Sequence, residues 1–597
     1  MFRILNQKKE ERDPYLQGLI CEFPYVNGGL FADENIEIPN FTEECRAILL
    51  SKASDNFKWS DISPTIFGAV FESTLNPETR RAGGMHYTSI ENIHKVIDPL
   101  FLDELREELD AIRDIKVGKV RENKIEAFRE KLASLTFLDP ACGSGNFLTE
   151  TYMSLRRLEN EALVELTGGQ MLLDFGNVIK VSIGQFYGIE INDFAVTVAK
   201  TALWIAESQM LKETESIVNM DLDFLPLKSY ANIVEGNALR IDWDSVVSKH
   251  ELNYIMGNPP FVGYSLQSKE QKEDILSIYV DENGKSYKTA GKIDYVAGWY
   301  FKAAEYINNT KVKAAFVSTN SITQGEQTSA VWKPLYERFG ISIDFAHTTF
   351  KWNSEASEKA AVHCVIIGFN AIRERHKRKL YSSDRMQLVE NINPYLIEAP
   401  DVFIESVTKP ICDVPKMQSG GKPVEGGHLI FTDEEKIEFV KSEPASKKYF
   451  RPFMGSDDYI NGKIRWCLWL LNVTPAELRK MPLVMKRVEA VKEFRLSSTK
   501  QATRDYANYP TRFMEIKQPD SDYLIIPATS SENRKYIPLG YLSKEVVASN
   551  AASFVPNASL YHFGILTSNV HMAWMRAVCG RLEMRYRYSV NIVYNNF

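Results

Sequence analysis

Short apolar runs alternate with longer amphipathic stretches between residues 135 and 370. Runs such as Leu135–Leu138 and Phe186–Ile189 have the length of strands that are buried on both faces of a sheet. Residues 295–308 have the amphipathic pattern of a helix that covers such a sheet. Strands that alternate with helices predict an α/β fold with a doubly wound, mostly parallel sheet. Residues 90–135 are charged and lack proline after Pro99, which predicts long helices leading into that sheet.

The alternation is weaker on both sides of this region. Residues 1–80 mix short helical segments with a glycine turn, and residues 391–427 are rich in Pro and Gly with little periodicity. Residues 265–292 are polar, which predicts a loop within the sheet domain. These patterns predict four parts: a helical connector at 1–85, the sheet domain at 86–380, a linker at 381–440 and an α+β domain at 441–597.

The composition is that of a globular protein with more than one core. The chain has 597 residues, of which 44% are hydrophobic and 25% charged, so two or three domains are expected. The seven cysteines include no C-x-x-C pair, which argues against a disulfide framework and against a zinc or other metal site. No window reaches the roughly 18 apolar residues that span a bilayer. These features predict a cytoplasmic protein with reduced thiols and no membrane partner.

The charge is unevenly distributed along the chain. Residues 441–597 contain 23 Lys and Arg and 13 Asp and Glu, so they carry +10, against −17 for residues 1–440. Arginines alternate with aromatic residues at Arg465-Trp466 and at Arg585-Tyr586-Arg587. A basic domain of this kind predicts phosphate contacts with a nucleic acid. The alternative is an ordinary solvated face.

One short motif, Asn258-Pro259-Pro260-Phe261, suits the capture of a planar amine. An exocyclic NH2 group can donate to the Asn258 side-chain oxygen and to the Pro259 carbonyl, while Phe261 stacks on the ring that bears it. The two prolines fix φ and remove competing N–H donors. The nitrogen lone pair then stays available for attack. The alternative is a Pro-Pro loop that follows a strand.

A second motif, Asp139-Pro140-Ala141-Cys142-Gly143-Ser144-Gly145-Asn146-Phe147, stands between a predicted strand and a predicted helix. Strand, glycine turn and helix form the usual site for a nucleotide-type cofactor, because the glycines let the backbone approach the ligand. Glu190 ends a later strand and suits a ribose diol, although it lies 51 residues after Asp139. A helical insertion near residues 159–174 would account for that spacing. Cys142 is expected to have a packing role.

Together these motifs resemble the S-adenosylmethionine-dependent amino-methyltransferases of DNA, in the subclass that methylates adenine and carries its target-recognition domain last. The resemblance implies a class I, Rossmann-like methyltransferase fold and S-adenosylmethionine as cofactor. It also implies double-stranded DNA as partner, with the target adenine flipped out of the duplex. The implied cofactor residues are Tyr87, Thr88, Asp139, Ala141, Gly143, Gly145, Asn146, Phe147, Glu190, Asn237 and Ala238. The implied catalytic residues are Asn258, Pro259, Pro260 and Phe261, with the base stacked on Phe261, Phe350 and Trp352.

The similarity is closer still to the MmeI-like enzymes of restriction-modification systems, types IIG and IIL. The similarity rests on segments 24–31, 83–89, 585–589 and 593–597. In that family a nuclease, a helical connector, the methyltransferase and the recognition domain share one chain. The resemblance therefore implies a truncated, split or engineered methylation subunit, with a separate nuclease or C-terminal subunit as a candidate partner. It also implies that Glu583, Arg585 and Arg587 read DNA bases.

Two other functions remain open from the sequence. A protein-glutamine N-methyltransferase also binds a planar amide through an Asn-Pro-Pro motif, although such enzymes are normally compact. A catalytically idle DNA-binding specificity subunit would retain the basic domain without turnover.

Overall fold

The computed structural model describes residues 12–15, 42–48, 50–52, 88–167, 178–218, 232–352, 362–372, 376–383 and 385–597. These residues form two compact units. The first consists of the described parts of Met1–Ile322 and Ala330–Asp401, and the second of Thr323–Ser329 and Val402–Phe597. Within the described ranges, no helix has both the length and the apolar character needed to cross a bilayer. The same ranges contain no group of three or more His, Cys, Asp or Glu side chains that could hold a metal ion.

A nine-stranded sheet forms the centre of the first unit. Its strands are β1 (Phe137–Asp139), β2 (Phe186–Glu190), β3 (Asn232–Glu235), β4 (Tyr254–Gly257), β5 (Lys313–Thr319), β6 (Ser342–Lys351), β7 (His363–Asn370), β8 (Arg378–Ser382) and β9 (Arg385–Val389). Their order across the sheet is β3-β2-β1-β4-β5-β7-β6-β8-β9. The five strands from β3 to β5 are parallel, and β7 runs antiparallel to both of its neighbours. The predicted doubly wound, mostly parallel sheet is confirmed.

The strand order reverses at β1. The chain proceeds from β1 to β2 and β3 on one side, and β4 and β5 then continue on the other side. In open α/β sheets, ligands bind in the crevice at the carboxyl ends of the strands where the order reverses. The carboxyl ends of β1 and β4 therefore mark the expected site. They are Asp139 and Gly257, the residue before Asn258.

Helices occur before the sheet and between its strands. They are α1 (Glu43–Ile48), α2 (Ile90–Ile97), α3 (Asp103–Arg113), α4 (Gly118–Ser134), α5 (Asn146–Thr167), α6 (Asp193–Val218), α7 (Lys269–Ile278), α8 (Ala297–Ile307) and α9 (Gly325–Phe339). The long helices predicted for residues 90–135 are thus present. The prediction of a loop at 265–292 is wrong in part, because α7 lies within it. The predicted connector at 1–85 lies largely outside the described residues.

A row of aromatic side chains from β1, β2 and β4 packs on one face of the sheet, where the strand order reverses. Phe137 of β1 stacks on Phe186 of β2, with ring centroids 5.2 Å apart, and on Tyr254 of β4 at 5.5 Å. The three residues are register partners across the sheet, so their side chains lie on the same face. Phe101 covers the row at 5.1 Å from Phe137. This packing stabilises the register of β1, β2 and β4, and thereby the relative positions of their carboxyl ends.

The second unit has α+β architecture, with small sheets ordered β10-β18-β14-β16, β11-β13-β12-β17 and β15-β20-β19. Its strands are β10 (Gln418–Ser419), β11 (Ile430–Thr432), β12 (Phe450–Met454), β13 (Arg465–Leu468), β14 (Tyr523–Pro527), β15 (Thr529–Ser530), β16 (Gly540–Leu542), β17 (Val547–Ala548), β18 (Ala552–Pro556), β19 (Gly580–Leu582) and β20 (Arg585–Arg587). Its helices are α10 (Asp433–Ser442), α11 (Ser456–Asn461), α12 (Pro475–Arg479), α13 (Pro482–Leu496), α14 (Gln501–Asp505), α15 (Leu560–Leu566) and α16 (Asn569–Val578).

The segment predicted as a linker at 381–440 contributes to both units. It contains β9, β10 and β11 and the start of α10. Here the many Pro and Gly residues reflect bends between short elements, and short strands give too little periodicity for a sequence pattern to detect.

A buried arginine holds part of the second unit together. The Arg495 side chain is 0% exposed and donates to the backbone carbonyls of Val424, Tyr506, Tyr509, Pro423 and Arg512. Its guanidinium also lies 5.2 Å from the Tyr506 ring centroid. One side chain therefore satisfies carbonyls from two chain segments that are distant in sequence. Burial lowers the pKa of this arginine.

We expect Arg495→Met to destabilise the second unit by at least about 3 kcal/mol, because several buried carbonyls would lose their donor at about 1–3 kcal/mol each. Lys492→Met is the matched control, since Lys492 lies exposed on the same helix, α13. Urea unfolding followed by tryptophan fluorescence measures both. Equal midpoints for the two variants would contradict the role given to Arg495.

Candidate active site

The glycine turn after β1 is fastened to the end of β2. The Gly143 N–H donates to Glu190 Oε2 at 2.9 Å, and the Cys142 N–H donates to the Ile189 carbonyl at 3.1 Å. Inside the turn, the Gly145 N–H donates to the Cys142 carbonyl. Gly143 and Gly145 have φ of +53° and +81°, values that favour glycine. The turn therefore leads the chain directly from β1 into α5.

The two glycines of the turn have different surroundings. A Cβ added at Gly145 would lie 2.9 Å from the Cβ of Ala199 in α6, so Gly145 permits close packing of that helix. A Cβ added at Gly143 would meet no heavy atom of the described residues within 4 Å. The expectation that both glycines allow a ligand to approach therefore fits Gly143 alone. A third glycine, Gly188, makes room for the Cys142 side chain, which is buried as its expected packing role requires.

Two carboxyl groups are buried where β1 and β2 end. The Asp139 side chain is 1% exposed; its Oδ1 accepts the Ala141 N–H at 3.0 Å, while Oδ2 has no hydrogen-bond partner among the described residues. Burial raises the pKa of Asp139 to about 8, and the nearby Glu190 carboxylate adds to the increase. Burial also raises the pKa of Glu190, against the lowering by backbone N–H donors that include those of Asn192 and Gly143. Such a pair favours a positively charged ligand.

Asn258 directly follows β4, the strand that pairs with β1 and so runs beside Asp139. Its Nδ2 donates to Thr88 Oγ1 at 3.0 Å, so Oδ1 lies on the opposite side of the amide. The preceding Gly257 runs so close to Asp139 that an added Cβ would be 2.4 Å from Oδ1. Pro259 is buried, and Phe261 is partly buried against the core of the first unit. The structure thus brings Thr88, Asp139 and Asn258 together.

The loop that carries Phe261 is anchored by residues just before α8. The Tyr264 N–H donates to Asp294 Oδ1 at 2.9 Å, and the Tyr295 N–H donates to the Val262 carbonyl at 2.9 Å. The Ser321 hydroxyl, from the segment after β5, donates to Asp294 Oδ2. Asp294 therefore ties the loop after Phe261 to the neighbouring strand end.

Phe350 and Trp352 lie at the end of β6 and differ in exposure. Trp352 is 3% exposed and belongs to the core, whereas Phe350 is partly buried, with its ring centroid 6.2 Å from that of Trp352. The Lys95 ammonium lies 5.1 Å from the Phe350 centroid. In this conformation Phe350 is therefore the more accessible of the two rings.

The segment after β3 approaches the end of β2. The Gly236 N–H donates to the Glu190 carbonyl at 2.7 Å. Asn237 Oδ1 accepts the Leu239 N–H at 2.9 Å, and its Nδ2 donates to Asp274 Oδ2 at 3.0 Å. Ala238 is buried. Asn237 and Ala238 therefore follow directly after the residue that contacts Glu190.

The remaining predicted cofactor residues begin the helix after the turn. Asn146 is the first residue of α5, and its Oδ1 accepts the Ser144 hydroxyl. Phe147 is 3% exposed and packs in the core, so its side chain supports the turn from behind. Ala141 contributes its N–H to Asp139. Tyr87 lies outside the described residues.

In the second unit, the predicted base-reading residues form the end of a hairpin. β19 and β20 pair antiparallel, so the chain reverses at Glu583 and Met584. Glu583 and Arg585 therefore do not belong to one extended strand, because Glu583 adopts a φ of +59° in the turn. The two side chains still meet, with Arg585 Nη2 3.0 Å from Glu583 Oε2, and both are exposed. Arg587 lies two residues further along β20 and is also exposed.

Four residues of the site were not predicted from the sequence: Asp274, Asp294, Tyr295 and Trp299. Asp274 accepts the Tyr295 hydroxyl at 2.9 Å, and Trp299 Nε1 donates to the Pro140 carbonyl at 3.0 Å. The position of Asp294 just before a helical pattern was the available signal, since carboxylates are common there. Asp274 lay in the segment interpreted as a loop, where the sequence offered no comparable signal.

The comparisons with known proteins follow this division. The MmeI DNA-methyltransferase domain matches residues 115–382, and the MmeI target recognition domain matches residues 398–597. The structure of the type IIL restriction-modification enzyme MmeI in complex with DNA is similar at a TM-score of 0.90 and 46% identity, over 100% of this chain and 78% of that chain. The resemblance to MmeI-like enzymes is thus confirmed.

Two further relatives come from curated sequences. DNA methyltransferase A of Bacillus subtilis (strain 168) is 40% identical over 601 residues, which are 100% of this chain and 66% of that protein. A putative type II restriction enzyme and methyltransferase of Methanocaldococcus jannaschii is 26% identical over 300 residues, 43% of this chain and 24% of that protein. This chain thus spans just under two thirds of the first relative's length and about a quarter of the second's. On these matches the chain belongs to the MmeI family and contains both the DNA-methyltransferase domain and the target recognition domain of that family.

Proposed function

We propose that this chain is a site-specific DNA adenine methyltransferase. It transfers a methyl group from S-adenosylmethionine to the exocyclic amino group of an adenine flipped out of double-stranded DNA. The observation that carries the proposal is the position of Asn258 directly after β4, beside the buried Asp139 and with its side-chain amide hydrogen-bonded to Thr88. The described cysteines are all free thiols, which is consistent with a cytoplasmic location.

The residues at the strand ends fit S-adenosylmethionine as cofactor. Asp139 offers a buried carboxyl oxygen, Oδ2, that has no hydrogen-bond partner among the described residues and suits a cationic group. Glu190 uses both oxygens for backbone N–H groups, at 2.9 and 3.0 Å, and each oxygen can accept a second bond from a ribose hydroxyl. The open space above Gly143 would receive the ligand itself. When bound, the cofactor supplies an electrophilic methyl group.

The chain's own residues position the amine. Asn258 Oδ1 and the Pro259 carbonyl accept its two N–H bonds, and Phe261 and Phe350 offer ring faces to the base. Correct positioning of two reactants can contribute about 7–11 kcal/mol in favourable cases. Base flipping costs on the order of a few kcal/mol, and stacking on aromatic side chains offsets part of that cost. Since the amine loses its proton after the methyl transfer, no strong base is required.

The second unit would select the DNA site, and its match to a target recognition domain favours DNA over a protein-glutamine substrate. Its residues 441–597 carry a formal charge of +10, which suits phosphate contacts.

We expect Asn258→Ala to lower the turnover number for N6-methyladenine formation by at least about 100-fold, because the amine would lose the acceptor that orients it. Cofactor affinity, measured by calorimetry, should change less than about threefold. The assay uses labelled S-adenosylmethionine, mixed-sequence DNA and chromatography of the digested nucleosides. Methylcytosine as the product, or full activity of the variant, would refute the proposal.

Gly143→Ala and Gly145→Ala should fail in different ways. The Cβ at residue 143 would enter the open space, so we expect at least about tenfold weaker cofactor binding and only about 1–2 kcal/mol of backbone strain. The Cβ at residue 145 would clash with Ala199, so that variant should lose thermal stability first. Calorimetry and thermal unfolding separate the two effects. Unchanged cofactor affinity in a folded Gly143→Ala protein would contradict the assignment.

Exchange of the hairpin charges, Glu583→Lys with Arg585→Asp, should change the preferred base at one position of the recognition site. A carboxylate accepts from cytosine and a guanidinium donates to guanine, so together they can read one C·G pair. The methylated adenine should stay the same, because the site at Asn258 is intact. Methylation mapping by sequencing compares the two proteins, and an identical motif at comparable activity would remove these residues from base readout.

A further inference from the structure

With Glu190 on the ribose diol, as proposed, Asn237 follows the next strand outward, β3, and would lie on the adenine side of the cofactor. At that position a carboxylate would suit the adenine amino group better than an amide. A carboxylate only accepts hydrogen bonds, whereas an amide presents either an acceptor or a donor, depending on its orientation. If Asn237 turned its NH2 group toward the adenine amine, two donors would face each other. An amide can serve here only if something fixes its orientation.

The structure provides that constraint in Asp274 of α7. Asp274 is 4% exposed, and its Oδ2 accepts Asn237 Nδ2 at 3.0 Å. On its other side, Asn237 Oδ1 accepts the Leu239 N–H at 2.9 Å. A flipped amide would place its oxygen against the carboxylate and its NH2 against an N–H donor. Only the observed orientation satisfies both neighbours.

Asp274 is itself held in place from two directions. The Tyr295 hydroxyl donates to Oδ2 at 2.9 Å, and Arg240 Nε donates to Oδ1 at 2.6 Å. Tyr295 packs edge-on against Trp299, with centroids 5.2 Å apart, and Trp299 donates to the Pro140 carbonyl in the glycine turn. The hydroxyl of Tyr295 stays protonated, since burial and the Asp274 carboxylate raise its pKa. The carboxylate is therefore connected, through Tyr295 and Trp299, to the glycine turn.

We propose that Asp274 is a positioning residue that sets the amide orientation of Asn237, and thereby makes this site selective for the adenine amino group of the cofactor. The inference rests on the proposed function. An amide oxygen has two lone pairs, so Asn237 Oδ1 can accept from the adenine amine while it keeps the Leu239 N–H. A single carboxylate could supply this acceptor alone. Here it takes two residues, the Asn237 amide and the Asp274 carboxylate that orients it.

The test is a reciprocal exchange, with S-adenosylhomocysteine as the ligand in calorimetry. Asn237→Asp alone brings two carboxylates within hydrogen-bonding distance, so we expect about tenfold weaker binding at pH 8. Asp274→Asn alone removes the charge that orients the amide, with a loss of about threefold to tenfold. In the double variant Asn237→Asp/Asp274→Asn, the new amide donates to the new carboxylate. The Tyr295 hydroxyl, which donates to Oδ2 in the original protein, then rotates to accept from the same NH2 group. That variant should bind within about threefold of the original protein.

A second ligand distinguishes a changed orientation of the Asn237 amide from a general structural effect of the substitution. S-inosylhomocysteine carries an oxygen in place of the adenine amine, so the original protein and the double variant should bind it at least about tenfold more weakly than S-adenosylhomocysteine. Asp274→Asn should lose much of this discrimination. Without the Asp274 carboxylate to orient it, the Asn237 amide can turn and donate to the oxygen of S-inosylhomocysteine. A purely structural role for Asp274 would weaken both ligands equally.

The outcomes are distinct. If the double variant binds no better than Asn237→Asp, or if Asp274→Asn keeps full discrimination, Asp274 does not set the orientation of Asn237. If Asp274→Asn does not fold, the comparison of Asn237→Asp with the double variant still decides. If the original protein binds neither S-adenosylmethionine nor S-adenosylhomocysteine, the proposed function itself fails.

Discussion

The buried pair of carboxyl groups at the ends of β1 and β2 determines the geometry of the site. Glu190 holds the glycine turn through the Gly143 N–H, and Asp139 holds the start of the same turn through the Ala141 N–H. Both groups are removed from water, and burial raises the pKa of each. Isolated buried carboxylates are costly, and here the backbone N–H groups of Ala141, Gly143 and Asn192 offset part of that cost.

The other parts of the site are arranged around this pair. Gly257 lies so close to Asp139 that only glycine fits there. The next residue, Asn258, therefore lies where the strand order of the sheet reverses. Across the site, Glu190 accepts the Gly236 N–H through its carbonyl and so places Asn237. The residues proposed to bind the cofactor and those proposed to bind the amine are thus held by the same pair of buried carboxyl groups. Catalysis by positioning requires such a fixed arrangement.

The sequence predicted those parts of the fold that depend on local patterns. The bounds of β2, Phe186–Glu190, follow from an apolar run ended by a carboxylate, and the glycine turn follows from residue types with positive φ. Helix α7 escaped detection because few apolar positions mark it, although Ser268 and Gln271 form a capping box at its start. The reversal at Glu583 was missed because its positive φ is rare for glutamate and no Gly or Asn signals the turn. Contacts between distant segments, such as Asn237 with Asp274, have no sequence signature at all.

The most direct test of the account is whether S-adenosylmethionine displaces a proton from Asp139. With a pKa of about 8 the carboxyl is mostly protonated at pH 7, and a cationic ligand favours its ionised form, so binding should release a proton and strengthen as the pH rises toward 8. Calorimetry in phosphate and in Tris buffers, which differ in ionisation enthalpy, measures that release. We predict net proton release for S-adenosylmethionine, less for the uncharged thioether S-adenosylhomocysteine, and clearly less for Asp139→Asn. Equal binding heats in the two buffers, or the same release from Asp139→Asn, would contradict the account.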